Sequence, residues 1–153
     1  MIDDFHDLLA EMVRLDVKFV VVGAHALSVH GVPRATGDLD LWVRSDAANA
    51  ARICEALARF GAPLADLGIT PTDFTQPNMI AQLGLPPYRV DILTSISGVL
   101  FDDAWPNRVT GTIEGVQVPV LGLDAFIRNK RASGRTKDLA DLEALGIAEN
   151  PDA

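Results

Sequence analysis

The stretch from Gly23 to Asp40 (Gly-Ala-His-Ala-Leu-Ser-Val-His-Gly-Val-Pro-Arg-Ala-Thr-Gly-Asp-Leu-Asp) constrains the fold more than any other part of the chain. Just before it, Phe19-Val-Val-Val22 is a run of β-branched and aromatic residues, the pattern of a short buried strand. Gly23 stops that strand and a helix over 24–30 follows. Gly23 and Ala24 have almost no side chain, so backbone N–H groups can approach an anion closely there, or Gly23 serves only a tight turn. Gly31, Pro33 and Gly37 mark a loop. Asp38-Leu-Asp-Leu-Trp-Val43 then alternates polar and apolar residues, as a half-buried strand does, which puts Asp38 and Asp40 on one face.

Two carboxylates on one strand face repel each other unless positive charge sits between them, and a hard divalent cation with oxygen ligands meets that need. A phosphate seat opposite paired carboxylates suggests metal-assisted phosphoryl or nucleotidyl transfer. A third carboxylate, Asp91, lies in Tyr88-Arg-Val-Asp-Ile-Leu93, which reads as a second strand with Arg89 on the same face. The alternative is a solvent-facing edge strand carrying Asp38 and Asp40, with Asp91 paired to Arg89.

Gly23-Ala24 followed by Asp38-Leu39-Asp40 resembles the signature of the DNA polymerase beta-like nucleotidyltransferase superfamily. Arg34-x-Thr36-x-Asp38-x-Asp40, with the segment from Lys130 to Asp141, is similar to small bacterial nucleotidyltransferase-like proteins related to abortive-infection (AbiEii-type) toxins. The resemblance implies an α/β (α+β) fold, a small mixed β-sheet with helices packed mainly on one side. It also implies that Asp38, Asp40 and Asp91 are catalytic and hold Mg2+ or Mn2+. The nucleoside triphosphate, ATP or another, would then lie against Gly23 and Ala24, with Lys130, Arg135 and Lys137 reaching it and Asp138 and Asp141 orienting them. The acceptor would be a hydroxyl of an RNA end, a protein or a small molecule, in a toxin–antitoxin setting or outside one. So small a domain makes a partner chain or a homodimer an expectation.

Other residues carry open alternatives. Arg34 and Thr36 stand in the loop that would cover the triphosphate, where Arg34 either binds its oxygens or makes a salt bridge to the acidic body. The segment from Lys130 to Asp141 is either part of the pocket or a solvated helix–loop–helix, with Lys137 and Asp141 one helical turn apart. Family members carry Gly-Gly or Gly-Ser where this chain has Gly23-Ala24, so a side-chain donor to phosphate is missing. A binding or regulatory protein of antitoxin type that keeps the fold without turnover is therefore the second expectation. His25 and His30 could replace the lost donor or be ordinary helix residues.

Charge distribution bears on the partner. The chain has 13 Lys and Arg against 21 Asp and Glu, a formal net charge of -8. Arg128, Lys130, Arg131, Arg135 and Lys137 fall within residues 128–137 with no acid among them. A local cationic patch on an acidic body suits a triphosphate or a strand end and argues against a long duplex. With 153 residues the expectation is a single domain over 1–148 and a frayed tail over 149–153. No apolar run reaches the length of a membrane span and the N-terminus is not basic, so a cytoplasmic location without membrane attachment is expected. The one cysteine, Cys54, falls at helical spacing with Ala50, Ile53 and Leu57 and reads as packing.

The remaining pattern is regular. Phe5, Leu8, Leu9, Met12 and Val13 predict an amphipathic helix with Asp3 and Asp4 placed to cap it. Ser45-Asp46 predicts a helix start and Gly61-Ala-Pro63 its end near Phe60. Residues 61–77 read as irregular or briefly helical, near the site mouth. Strands over 78–83 and 88–93, joined by Gly84-Leu-Pro-Pro87, and strands over 109–113 and 116–121 around Glu114-Gly115 read as two hairpins. Residues 97–105 read as a short helix or turn, and helices over 123–131 and 137–145 close the pattern.

Overall fold

The computed structural model describes residues 2–85 and 88–147, with side chains from residue 5 onward. The side chains of Asp3 and Asp4, expected to cap the first helix, are not described, and the Pro86–Pro87 connection and the tail over 149–153 lie outside the described residues.

Alternation in the sequence becomes a six-stranded mixed sheet. Its strands are β1 (Phe19–Val22), β2 (Asp38–Val43), β3 (Ile80–Leu85), β4 (Tyr88–Leu93), β5 (Val109–Ile113) and β6 (Val116–Val120), in the order β3-β4-β2-β1-β6-β5. β2 runs antiparallel to β1 and parallel to β4, while β1 runs parallel to β6. The hairpins β3–β4 and β5–β6 form the two edges.

Register decides what each face carries. Leu41 pairs with Val21 and with Ile92, so these residues line one apolar face together with Leu39, Val90 and Leu83. All six are buried. Helix α1 (Ile2–Arg14) lies over this face, with the Phe5 ring edge-on to Tyr88, and α3 (Ala47–Phe60) packs beside it. Phe5, Leu8, Leu9 and Met12 of α1 and Ala50, Ile53, Ala56 and Leu57 of α3 supply its cover. They repeat at three- and four-residue intervals, as one helical face requires.

The start of α3 is fixed by hydrogen bonding. Asp46 caps it by accepting from the Asn49 backbone N–H at 2.7 Å, and Gly61 ends it in the left-handed region. The buried Asn49 amide donates to the carbonyls of Lys18 and Arg44, and its oxygen accepts from the Lys18 N–H at 2.7 Å. One side chain thus fastens α3 to the ends of β1 and β2.

The opposite face carries Asp38, Asp40, Arg89 and Asp91, and it is only partly covered. At its far end Trp42 packs edge-on against Phe101 of α5 (Phe101–Ala104), and Phe101 stacks on Trp105. Further along, α6 (Leu123–Ser133) and α7 (Thr136–Ala144) flank the acidic residues. Helix α2 (Gly23–Val29) follows β1 directly. Residues 61–77 form α4 (Leu64–Leu67) and a 3₁₀ turn over Pro71–Thr75. That turn packs on α3 through the buried Phe74, so the segment belongs to the core side and not to the site mouth. The predicted strand over 78–83 begins two residues later, because Asn78 takes a left-handed conformation (φ 58°) ahead of it.

Candidate active site

The alternation of β2 puts Asp38 and Asp40 on one face, and its parallel register with β4 sets Asp40 directly beside Asp91 and Asp38 beside Arg89. On the other side of Asp40 stands Val22, the last residue of β1, and on the far side of Asp91 stands Gln82. Gly23 follows Val22 with φ 71° and is pressed against Asp40. A Cβ at Gly23 would lie 3.2 Å from the Asp40 Cγ and well inside contact with Oδ2. Glycine is required there both by conformation and by space.

Arg89 occupies the place between two of the carboxylates. Its Nη2 is 3.6 Å from Asp38 Oδ2 and its Nε 3.2 Å from Asp91 Oδ1. The positive charge that the paired carboxylates need is thus supplied in part from within the chain. Burial pushes the Asp40 carboxyl up to about 6, helped by the neighbouring Asp91 and Asp38 and opposed by Lys137 and Lys130. Burial also raises Asp91, with Asp38 adding to the rise, while Arg89 and a hydrogen bond from Gln82 hold it down.

Facing these acids across a cleft of about 770 Å³ are Lys130, Arg135 and Lys137. Lys130 is buried on α6, with Nζ 3.3 Å from both Asp138 Oδ1 and Asp141 Oδ2. Asp138, in the first turn of α7, also accepts from the Arg135 backbone N–H at 3.2 Å and from Arg135 Nε at 2.7 Å. Burial alone would raise the Asp138 carboxyl. The hydrogen bonds from Arg135 and the charge of Lys130 outweigh it and hold the group well below the usual carboxylate range. Lys137 is exposed and makes no ion pair among the described residues, yet its charge reaches Asp40.

The cleft therefore gathers Gly23, Asp38, Asp40, Asp91, Lys130, Arg135 and Lys137 from five separate elements and the turn before α7. Three expected nucleotide contacts do not line it. Arg34 turns away to α7, where Nη1 meets Asp141 Oδ1 at 2.8 Å, so the salt-bridge alternative holds. Thr36 is spent locally, its Oγ1 accepting from the Asp38 backbone N–H at 3.0 Å. Ala24 lies beyond the cleft wall, and its carbonyl accepts from Ser28 Oγ at 3.2 Å. Nor do the histidines replace the missing donor. His25 packs edge-on to Phe5, with burial lowering its pKa, and His30 Nε2 donates to the Leu121 carbonyl at 2.7 Å.

The cleft has members that sequence reasoning did not single out: Asn78, Leu93, Ser95, Ile96, Ser97 and Asn129. Leu93 continues the alternation of Arg89 and Asp91 to the end of β4, the one signal that could have found it, whereas Ser95, Ile96 and Ser97 lie in the bend and turn beyond the strand. Asn129 Nδ2 donates to the Ser97 carbonyl at 2.9 Å, a contact over 32 residues that no local pattern announces.

Among the described residues no three His, Cys, Asp or Glu side chains converge as a ready metal cage. Arg89 pairs with both Asp38 and Asp91. The donor chemistry nevertheless suits a hard divalent cation: three carboxylates share one face, and Asp40 has no cation within salt-bridge distance among the described residues. No helix among the described residues is long and apolar enough to cross a membrane.

Residues 2–149 match a family model described as "Nucleotidyl transferase of unknown function (DUF2204)". No curated protein is similar enough to the chain to count as a match. The chain is also similar to the crystal structure of a Thermotoga maritima protein with a provisional nucleotidyltransferase assignment. The two share 19% identity over 93% of this chain and 88% of that one, with a TM-score of 0.54. At that identity the likeness is one of fold.

Proposed function

Since the chain belongs to this nucleotidyl transferase family of unknown function over residues 2–149, we propose that it moves a nucleoside monophosphate from a nucleoside triphosphate to a hydroxyl acceptor. The observation that carries this reading is the opposition of Asp38, Asp40 and Asp91 on one wall to Lys130, Arg135 and Lys137 on the other, across one cleft. A triphosphate is a polyanion and a hydroxyl is a poor nucleophile, so transfer needs cations around the first and a base near the second.

In this scheme the acceptor oxygen attacks the α-phosphorus, a phosphorus–oxygen bond forms, and the bond to the bridging oxygen breaks. Pyrophosphate leaves with the electron pair. Asp91, raised above an ordinary carboxyl by burial, orients the attacking hydroxyl and accepts its proton. Lys137 and Arg135 hold the departing phosphates, and Lys130 supplies a fixed positive charge behind them, kept in one orientation by Asp138 and Asp141. Asp38, Asp40 and Asp91 would hold magnesium or manganese, whose bound form neutralises charge on the transferring phosphate. The acceptor class, an RNA end, a protein or a small molecule, stays open within this proposal, as do a toxin–antitoxin setting, a cytoplasmic location and a partner chain or homodimer.

A second reading, a binding or regulatory protein without turnover, is favoured by one observation: Arg89 already neutralises Asp38 and Asp91. A thermal-shift titration of wild type and Asp38→Ala with each nucleoside triphosphate, with and without magnesium, tests the first reading. Pyrophosphate release measured on the same samples separates it from the second. Magnesium-dependent stabilisation that the variant loses supports the nucleotide site, and no shift with any nucleotide removes it.

A further inference from the structure

Lys130 is the middle member of a row of alternating charge that runs from Arg135 through Asp138, Lys130 and Asp141 to Arg34. Arg135 Nε meets Asp138 Oδ2 at 2.7 Å, Lys130 Nζ lies 3.3 Å from Asp138 Oδ1 and from Asp141 Oδ2, and Arg34 Nη1 meets the other oxygen of Asp141 at 2.8 Å. Each buried acid therefore has Lys130 on one side and an arginine on the other. Three cations against two anions leave the row one positive charge in excess.

That excess depends on the one cation of the row that is outside the cleft. Lys130 and Arg135 line the cleft and Arg34 does not. The Arg34 side chain is 41% exposed, whereas the Asp141 side chain that it touches is 6% exposed. Without Arg34, Asp141 has only Lys130 as counter-charge, two cations face two anions, and the row is neutral. A polyanion is attracted by excess charge and not by matched pairs, and charge held on buried groups is little screened by salt.

Arg34 is also held in place. It stands in the loop between α2 and β2, where its backbone N–H donates to Ser28 Oγ at 3.3 Å and Ser28 Oγ donates to the Ala24 carbonyl at 3.2 Å. Two residues on, Thr36 Oγ1 accepts from the Asp38 N–H at 3.0 Å. The loop is thus tied to α2 at one end and to the acid-bearing strand at the other.

We propose that Arg34 is a positioning residue that sets the charge of the triphosphate wall without touching the triphosphate. By neutralising Asp141 from outside, it leaves the charge of Lys130 available to phosphate. The inference rests on the nucleotide reading above and assigns a role in it to a residue that does not line the cleft.

The test is equilibrium binding of inorganic tripolyphosphate, with magnesium, to the full chain and to Arg34→Gln, Arg34→Lys, Asp141→Asn and the double variant Arg34→Gln/Asp141→Asn, each checked by its melting curve to be folded. Arg34→Gln and Asp141→Asn break the same ion pair, so a purely structural role predicts that both weaken binding. The charge argument predicts opposite results. Arg34→Gln should bind about five- to tenfold more weakly, and Asp141→Asn at least as tightly as the unmutated chain. Arg34→Lys should keep most of the affinity. In the Asp141→Asn background there is no acid for Arg34 to neutralise, so adding Arg34→Gln should change affinity by less than about twofold. An equal loss from Arg34→Gln in both backgrounds would place Arg34 on the ligand itself and overturn the proposal, as would a loss in Arg34→Lys as large as that in Arg34→Gln. If Asp141→Asn does not fold, the contrast between glutamine and lysine at position 34 decides alone. An unmutated chain that binds neither tripolyphosphate nor any nucleoside triphosphate would overturn the nucleotide reading and this proposal together, whereas tight binding that Arg34→Gln leaves unchanged would overturn the role of Arg34 only.

Discussion

Replacing Gly23 by alanine tests the packing of the acidic wall directly. Two costs can be worked from the structure. The first is conformational: at φ 71° an L-residue carries a penalty of about 1–2 kcal/mol that glycine does not. The second is spatial. The new Cβ would lie 3.4 Å from the Asp40 Cβ, 3.2 Å from its Cγ and inside the contact distance of Oδ2. Asp40 cannot retreat with its backbone, because β2 is held in register by β1 on one side and β4 on the other. Its carboxylate must rotate off a staggered minimum, at about 0.5–1.5 kcal/mol. Together these predict a loss of about 1.5–3.5 kcal/mol in urea unfolding. A carboxylate displaced by about 1 Å also predicts a fall in pyrophosphate release on the order of a hundredfold. Gly31→Ala is the control, because Gly31 has φ 105° but nothing within 4 Å of the Cβ position. It should carry the backbone penalty alone and leave activity unchanged. If Gly23→Ala proves no worse than Gly31→Ala in stability and in activity, the close approach to Asp40 does not matter and the reasoning is wrong.

Three further outcomes are expected. Asp40 sits near 6 in the folded chain against an ordinary 3.8, so its contribution to stability is fully present below pH 3.8 and is lost as pH rises through 6. About two pH decades at 1.36 kcal/mol each make this roughly 3 kcal/mol, and Asp40→Asn should flatten the unfolding free energy between pH 4 and pH 6 when followed by urea titration. Arg89→Gln should cost about 1–2 kcal/mol without divalent cations, since Asp38 and Asp91 lose their shared counter-ion, and should enlarge the melting response to magnesium; an unchanged response would show that Arg89 does not compete for that place. Lys130→Met should cost about 3–5 kcal/mol because Asp138 and Asp141 are buried with it, whereas the exposed Lys137→Ala should leave stability within about 0.5 kcal/mol and weaken nucleotide binding, which unfolding and titration on the same two variants would separate.

Short-range pattern was enough for much of this molecule. β2 and β4 fall where polar and apolar residues alternate, and the start and stop of α3 follow from Asp46 and Gly61. The carboxylates share a face for the same reason, because a period of two leaves them no other choice. Partners chosen across the fold were not legible in this way. A guanidinium bonds as well to carboxylate as to phosphate, so Arg34 read the same whether it met Asp141 or a ligand. The burial of Lys130 was hidden similarly: a basic run looks solvated until Asp138 and Asp141 are seen buried around it. Asn129 and Ser97 carried no signal, since their meeting depends on where α6 lands against the loop after β4.

The two walls of the cleft come from different stretches of chain, the acidic one ending at Asp91 and the cationic one beginning at Lys130. During synthesis the acids emerge first, and domains assemble as their elements become available. A nascent chain that has made only β2 and β4 holds Arg89 as the neutralising charge within that face and has no surface complementary to a triphosphate. Docking of α6 and α7, with Asp141 gripping Arg34 from the early loop and Lys130 from the late helix, is then the event that creates a pocket. If the cleft takes a triphosphate as proposed, completion of the fold and acquisition of affinity for it become one step.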